Sequence, residues 1–138
     1  MLISLPLDEI VAGATVRVAV IQGTQYLSVR NVIMYMCGKD NKQASQIWER
    51  ISSDHKEELS SFCRNFQFPG RGQSMSPVIT FPGALKLIMF LPGEMAKIHR
   101  SGMVKIIHRY FAGDASLLEE IEANAASEVG RASCRERV

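Results

Sequence analysis

A chain of 138 residues is sized for one domain rather than several. Its hydrophobic fraction of 46% provides for a true core and excludes a disordered chain, and no stretch approaches the ~18 consecutive apolar residues of a membrane span. The formal charge of +2 conceals a division: residues 39–113 hold eleven Lys/Arg against six Asp/Glu, whereas residues 114–128 hold five acids and no base. A basic body with an acidic appendage points toward a polyanionic partner, although many solvated surfaces carry as much charge. Cys37, Cys63 and Cys134 lack metal-ligand spacing, and their odd number argues against a disulfide framework. With no basic region leading into a long apolar run at the N-terminus, the protein is expected in a reducing compartment, cytoplasm or nucleus, without a membrane partner.

In chain order, residues 1–13 read as an N-terminal extension. The β-branched and aromatic runs 16–21 and 25–29, separated by Gln22-Gly23-Thr24, predict a β-hairpin. Val29, Val32, Ile33 and Met36 then recur at helical spacing up to a stop at Gly38. Asp40-Asn41 offers a cap for a second helix with Ala44, Ile47, Trp48 and Ile51 inward, expected to fray between Asp54 and Glu58. Two further strand patterns, 62–68 and 77–81, flank the glycine-rich, acid-free loop Pro69–Ser76 and predict a second hairpin with a long, flexible basic tip. A helix from Gly83 to Leu91, apolar nearly all round except at Lys86, is expected to be buried. Pro92-Gly93 separates it from a helix over 94–111, with Ala96, Met103, Ile107 and Tyr110 expected inward and Lys97, Ser101, Lys105 and His108 outward. After Gly113, Asp114 is expected to cap an acidic helix striped by Leu117, Leu118 and Ile121. The expectation is an α+β fold, two β-hairpins with four to five helices in one compact domain. The last nine residues, Gly130 to Val138, have no apolar periodicity and read as a non-native read-through tail, so the native C-terminus and any second domain are expected to be missing.

Several stretches carry a family resemblance. Tyr26-Leu27-Ser28-Val29-Arg30-Asn31-Val32 runs from a strand into a helix, and Gly38-Lys39-Asp40-Asn41-Lys42-Gln43-Ala44 sets a glycine before an Asn-led helix start. Thr80-Phe81-Pro82-Gly83-Ala84-Leu85-Lys86-Leu87-Ile88 steps from a strand into an aliphatic helix, and Ala96-Lys97-Ile98-His99-Arg100 opens the helix that follows. Together these resemble the BRO-N/KilA-N domains of large DNA viruses and phages, with the match spanning residues 14–113. The sequence departs from that pattern at Ile98 and Val104-Lys105, where the family usually has Phe and Trp, and in the longer tip Phe68-Pro69-Gly70-Arg71-Gly72. The resemblance implies a DNA-binding, antirepressor-like regulatory module that contacts DNA through a helix and an adjoining hairpin.

The residues themselves suit that chemistry. On the polar side of the second helix (42–52), Gln43 and Gln46 carry amides for base edges, Arg50 a fork for guanine or phosphate, and Lys42 a cation for phosphate. Lys39 and Asn41 precede them. The basic hairpin (62–76) adds Arg64, Asn65, Arg71 and Gln73, with no acid from Ser61 to Ser76. The helix edge and the hairpin are expected to lie side by side as one cationic footprint. The plain alternative is the solvated face of any amphipathic helix beside a mobile surface loop. Gly70-Arg71-Gly72 lacks the remainder of a phosphate-binding loop, and His55, His99 and His108 form no helical metal pair. No catalytic set, metal or cofactor is expected; His99 and Trp48 read as core residues. The rival reading is a protein-interaction or homo-oligomerisation module using residues 114–129, which would equally permit that helix to fold back and mask the basic face.

Overall fold

The computed structural model describes residues 16–70 and 72–126. The N-terminal extension 1–13, the tail 130–138, Cys134 and Arg71 lie outside the described residues.

Strands β1 (Val18–Ile21) and β2 (Thr24–Ser28) pair antiparallel, with Ile21 opposite Thr24. The turn is the two residues Gln22-Gly23, both at positive φ (52° and 81°), the combination whose twist matches a tight hairpin. Strands β3 (Cys63–Gln67) and β4 (Met75–Thr80) form the second hairpin, and β2–β4 pairing fuses the two into one antiparallel sheet of order β1-β2-β4-β3. β4 begins two residues before the expected Pro77, which shortens the tip.

Each inner strand hands over to a helix through a hydroxyl. Ser28 Oγ accepts from Asn31 N to open α1 (Val29–Cys37), and Thr80 Oγ1 accepts from Gly83 N to open α4 (Phe81–Phe90). Such caps satisfy backbone donors that a helix start leaves unpaired. The second of these helices starts at Phe81 rather than Gly83, because Pro82 is tolerated in the first turn. Between them come α2 (Asn41–Asp54), a single turn α3 (Lys56–Leu59) and a 3₁₀ turn (Ser60–Phe62). The stretch expected to fray is therefore helical, anchored by the buried Leu59 and by His55 stacked on Phe90 at 3.8 Å.

The main core lies on one face of the sheet. Leu27 and Ile79 meet Val29, Val32, Ile33 and Met36 of α1, Ala44 and Ile51 of α2, and Ala84, Leu87 and Ile88 of α4. Trp48 and Ile47 pack against its edge. α5 (Glu94–Phe111) closes it with Ala96 and Met103, and His99 is buried as a core histidine. Arg100 reaches back to cap α4, its Nη1 donating to the carbonyls of Ile88 (3.1 Å) and Leu91 (2.6 Å). The α4–α5 turn touches α1 so closely that a Cβ on Gly93 would sit 2.7 Å from the Met36 carbonyl oxygen.

Two expectations need correction. Ile107 is 52% and Tyr110 70% exposed, because α4 and α5 diverge beyond Met103 and leave an open groove along this part of α5. α4 is not buried all round, since Met89 and Lys86 are exposed. The acidic helix α6 (Leu117–Ala126) is present and buries none of its residues. Among the described residues, no helix is long and apolar enough to cross a membrane. The fold is α+β: among the described residues, two hairpins in a four-stranded antiparallel sheet with six helices, plus the 3₁₀ turn.

Candidate nucleic-acid interface

α1 and α2 are joined by only Gly38, Lys39 and Asp40. Gly38 adopts the left-handed conformation (φ 66°), and its N–H donates to Met34 O, which ends α1 within one residue. Asp40 Oδ1 then accepts from Gln43 N (2.8 Å) while Gln43 Oε1 accepts from Asp40 N (3.3 Å), a reciprocal capping box that starts α2 at once. Two consecutive helices are thus linked by a three-residue, glycine-bearing turn, with both helix ends at the junction capped. The β3–β4 hairpin follows it in the chain like a wing.

Ala44, Trp48 and Ile51 anchor one side of α2, so its opposite side faces solvent. At 100° per residue, Lys42, Gln43, Gln46 and Arg50 fall within an arc of about 100° on that outer side. All four are exposed, as are Lys39 and Asn41 ahead of them. Among the described residues, the side chains of Lys39, Lys42, Gln46 and Arg50 make no hydrogen bond or ion pair. Gln43 is partly committed, since its carbonyl oxygen closes the capping box. Glu49 and Asp54 are the acids flanking this face, one at each edge, and the Asp40 carboxylate is occupied by the cap. The acidic α6 does not cover the set.

The hairpin residues lie elsewhere. Cross-strand partners share a face, and the register sets Arg64 opposite Val78, Phe66 opposite Ser76 and Ala19 opposite Tyr26. Ala19, Tyr26, Phe68 and Val78, with Ile21 and Phe66, form a second apolar cluster that includes no helix residue. Arg64 is therefore on the sheet face turned away from the helices, with its guanidinium 5.9 Å from the Tyr26 ring centre. Asn65 alternates to the other face and is exposed. Of the hairpin cations in the expected footprint, Arg64 is thus on the sheet face opposite the helices, and Arg71 lies outside the described residues.

Nor is the described part of the tip a loose finger. Arg17, which sequence inspection passed over, ties it down. Arg17 Nη1 donates to Gln73 Oε1 (3.0 Å), its guanidinium lies 4.4 Å over the Phe68 ring, and its N–H and Nε donate to Asn31 Oδ1 in the first turn of α1. Gln67 Nε2 adds a bond to Gln73 O at 3.1 Å. The side-chain oxygen of Gln73 is thus committed to Arg17. Arg17's partners stand 14 and 56 positions away, so no local pattern marked it.

Comparison of the chain with protein-family models, curated proteins and solved structures returns no match.

Proposed function

We propose that this protein is a non-catalytic, regulatory duplex-DNA-binding module that presents the outer face of α2 to the major groove. The observation that carries the reading is the exposed face of Lys42, Gln46 and Arg50 on α2, with Lys39 just ahead of it, whose side chains have no partner among the described residues. An α-helix fits the major groove, Gln and Arg match base-edge donors and acceptors, and free lysines match phosphates. The same arrangement agrees with the BRO-N/KilA-N resemblance, which implied contact through a helix and an adjoining hairpin. Relative to that expectation, α2 carries the contact, and the β3–β4 hairpin serves as a tethered wing whose Arg64 takes no part.

Fluorescence anisotropy on a labelled duplex over a salt series tests this. Affinity is expected to fall steeply with salt, by about 0.9 in log–log slope per neutralised phosphate. The pair Lys42→Ala and Arg50→Ala is expected to weaken binding at least about tenfold and flatten the slope by roughly one to two. Binding indifferent to salt, or to that pair, would refute the reading.

A further inference from the structure

α4 and α5 leave an apolar groove of about 380 Å³ between them, lined by Leu85, Lys86, Met89, Met103, Ile106 and Ile107. Around it the C-terminal half of α5 exposes Val104, Tyr110 and Phe111, an apolar surface beyond the scattered residues of an ordinary monomer. Nearby, α6 exposes Leu118 and Ile121 one turn apart, flanked by the exposed acids Glu119 and Glu122. Groove and stripe match in chemistry: the cation on the groove is Lys86, and no base occurs from Asp114 to Ala126.

Within one chain the two do not meet. Arg109 holds the α5–α6 corner, its Nε donating to Asp114 Oδ2 (3.1 Å) and its Nη2 to Ser116 Oγ (2.8 Å), with an ion pair to Glu120. Arg109 stands two residues after Ile107, roughly 160° around the helix axis from it. The latch therefore keeps α6 off the groove, and Leu118 (60%) and Ile121 (57%) stay exposed.

We infer that the chain pairs with a second copy of itself, α6 of each copy seating its Leu118–Ile121 stripe in the other's α4–α5 groove with Glu119 or Glu122 near Lys86. Arranged about a two-fold axis, such a pairing closes at two copies, each copy's stripe filling the other's groove. The inference stands on the groove and α6 alone and does not rest on the DNA reading.

Sedimentation velocity of the full 138-residue chain without DNA, over a concentration series, tests it. A monomer–dimer equilibrium is expected, weakened roughly tenfold or more by Ile107→Glu, and likewise by Leu118→Glu combined with Ile121→Glu. All three positions are exposed, so the variants should keep the parent circular-dichroism spectrum. Mixing the groove variant with the α6 variant leaves one intact groove–stripe contact per pair. A mixed dimer tighter than either parent homodimer is therefore expected, which unspecific clustering does not produce. A chain monomeric at every concentration, a dimer indifferent to the α6 substitutions, or no gain on mixing overturns the inference. A dimer lost with Ile107→Glu but untouched by the α6 pair counts against it too, since another segment would then fill the groove.

Discussion

Gly83 sits where α4 crosses the end of the sheet, and a Cβ there would lie 2.4 Å from Phe62 Cβ and 2.6 Å from Ile79 Cγ1. Neither neighbour can retreat, since Ile79 is fully buried in a strand and Phe62 is wedged beneath α4 with Lys86 over its ring. Gly83→Ala is expected to destabilise the fold by about 1–3 kcal/mol, read as a shift of the urea midpoint. Cys63, whose thiol burial pushes up to about 11, should resist iodoacetamide at pH 8 in the native protein and react once unfolded. Asp114 is held at about 2 by the hydroxyl and N–H of Ser116 and then by Arg109. Its folded value lies below the ordinary 3.8, so the stabilisation is complete above that pH and fades as pH falls toward 2. The α5–α6 corner is accordingly expected to hold from neutral pH down to about 4 and loosen below it, followed by NMR of residues 114–121. At this scale the sequence disclosed the residues whose partners are adjacent, such as Asp40 before Gln43. Arg17 was not legible, because its role depends on a hairpin tip and a helix start brought together only by the completed sheet.

The junction of α1 and α2 is a matter of termination as much as of apolar spacing. Gly38 stops α1, and the capping box starts α2 without an intervening loop, which fixes how α2's polar side is presented. Asp40→Ala is expected to cost about 1 kcal/mol and to weaken DNA binding as the first turn of α2 loosens, measured by thermal unfolding alongside anisotropy. Apolar periodicity revealed α1, α2 and α4, because each has a neighbour along its whole stripe. It misread α5, where Ile107 and Tyr110 continue the spacing of Ala96 and Met103 into a stretch where α4 and α5 leave an open groove between them. A stripe states which residues could be covered; only a packed neighbour covers them. That uncovered half of α5 is the surface assigned above to a second copy.

For the whole molecule, the decisive feature is the sheet as a partition. One side carries the helical core and, beyond it, the α2 face; the other carries Tyr26, Phe66 and Phe68 under Arg64 and Arg17. Strand alternation in residues 62–68 was legible, but which alternate residues face the helices depends on β2–β4 pairing, a non-local choice that sequence left open. The sequence located Arg64 and the α2 cations and could not tell that Arg64 is on the sheet face turned away from the helices. If two copies pair through α6, two α2 faces are carried on one particle, which suits a two-fold-symmetric DNA site. The most direct test of the central claim is an amide NMR titration of the protein with a short duplex. Perturbations are expected to concentrate on residues 39–50 and to spare Tyr26, Arg64 and Phe66. Shifts centred on that aromatic sheet face, with residues 39–50 unmoved, would contradict the assignment of α2 as the DNA-contacting element.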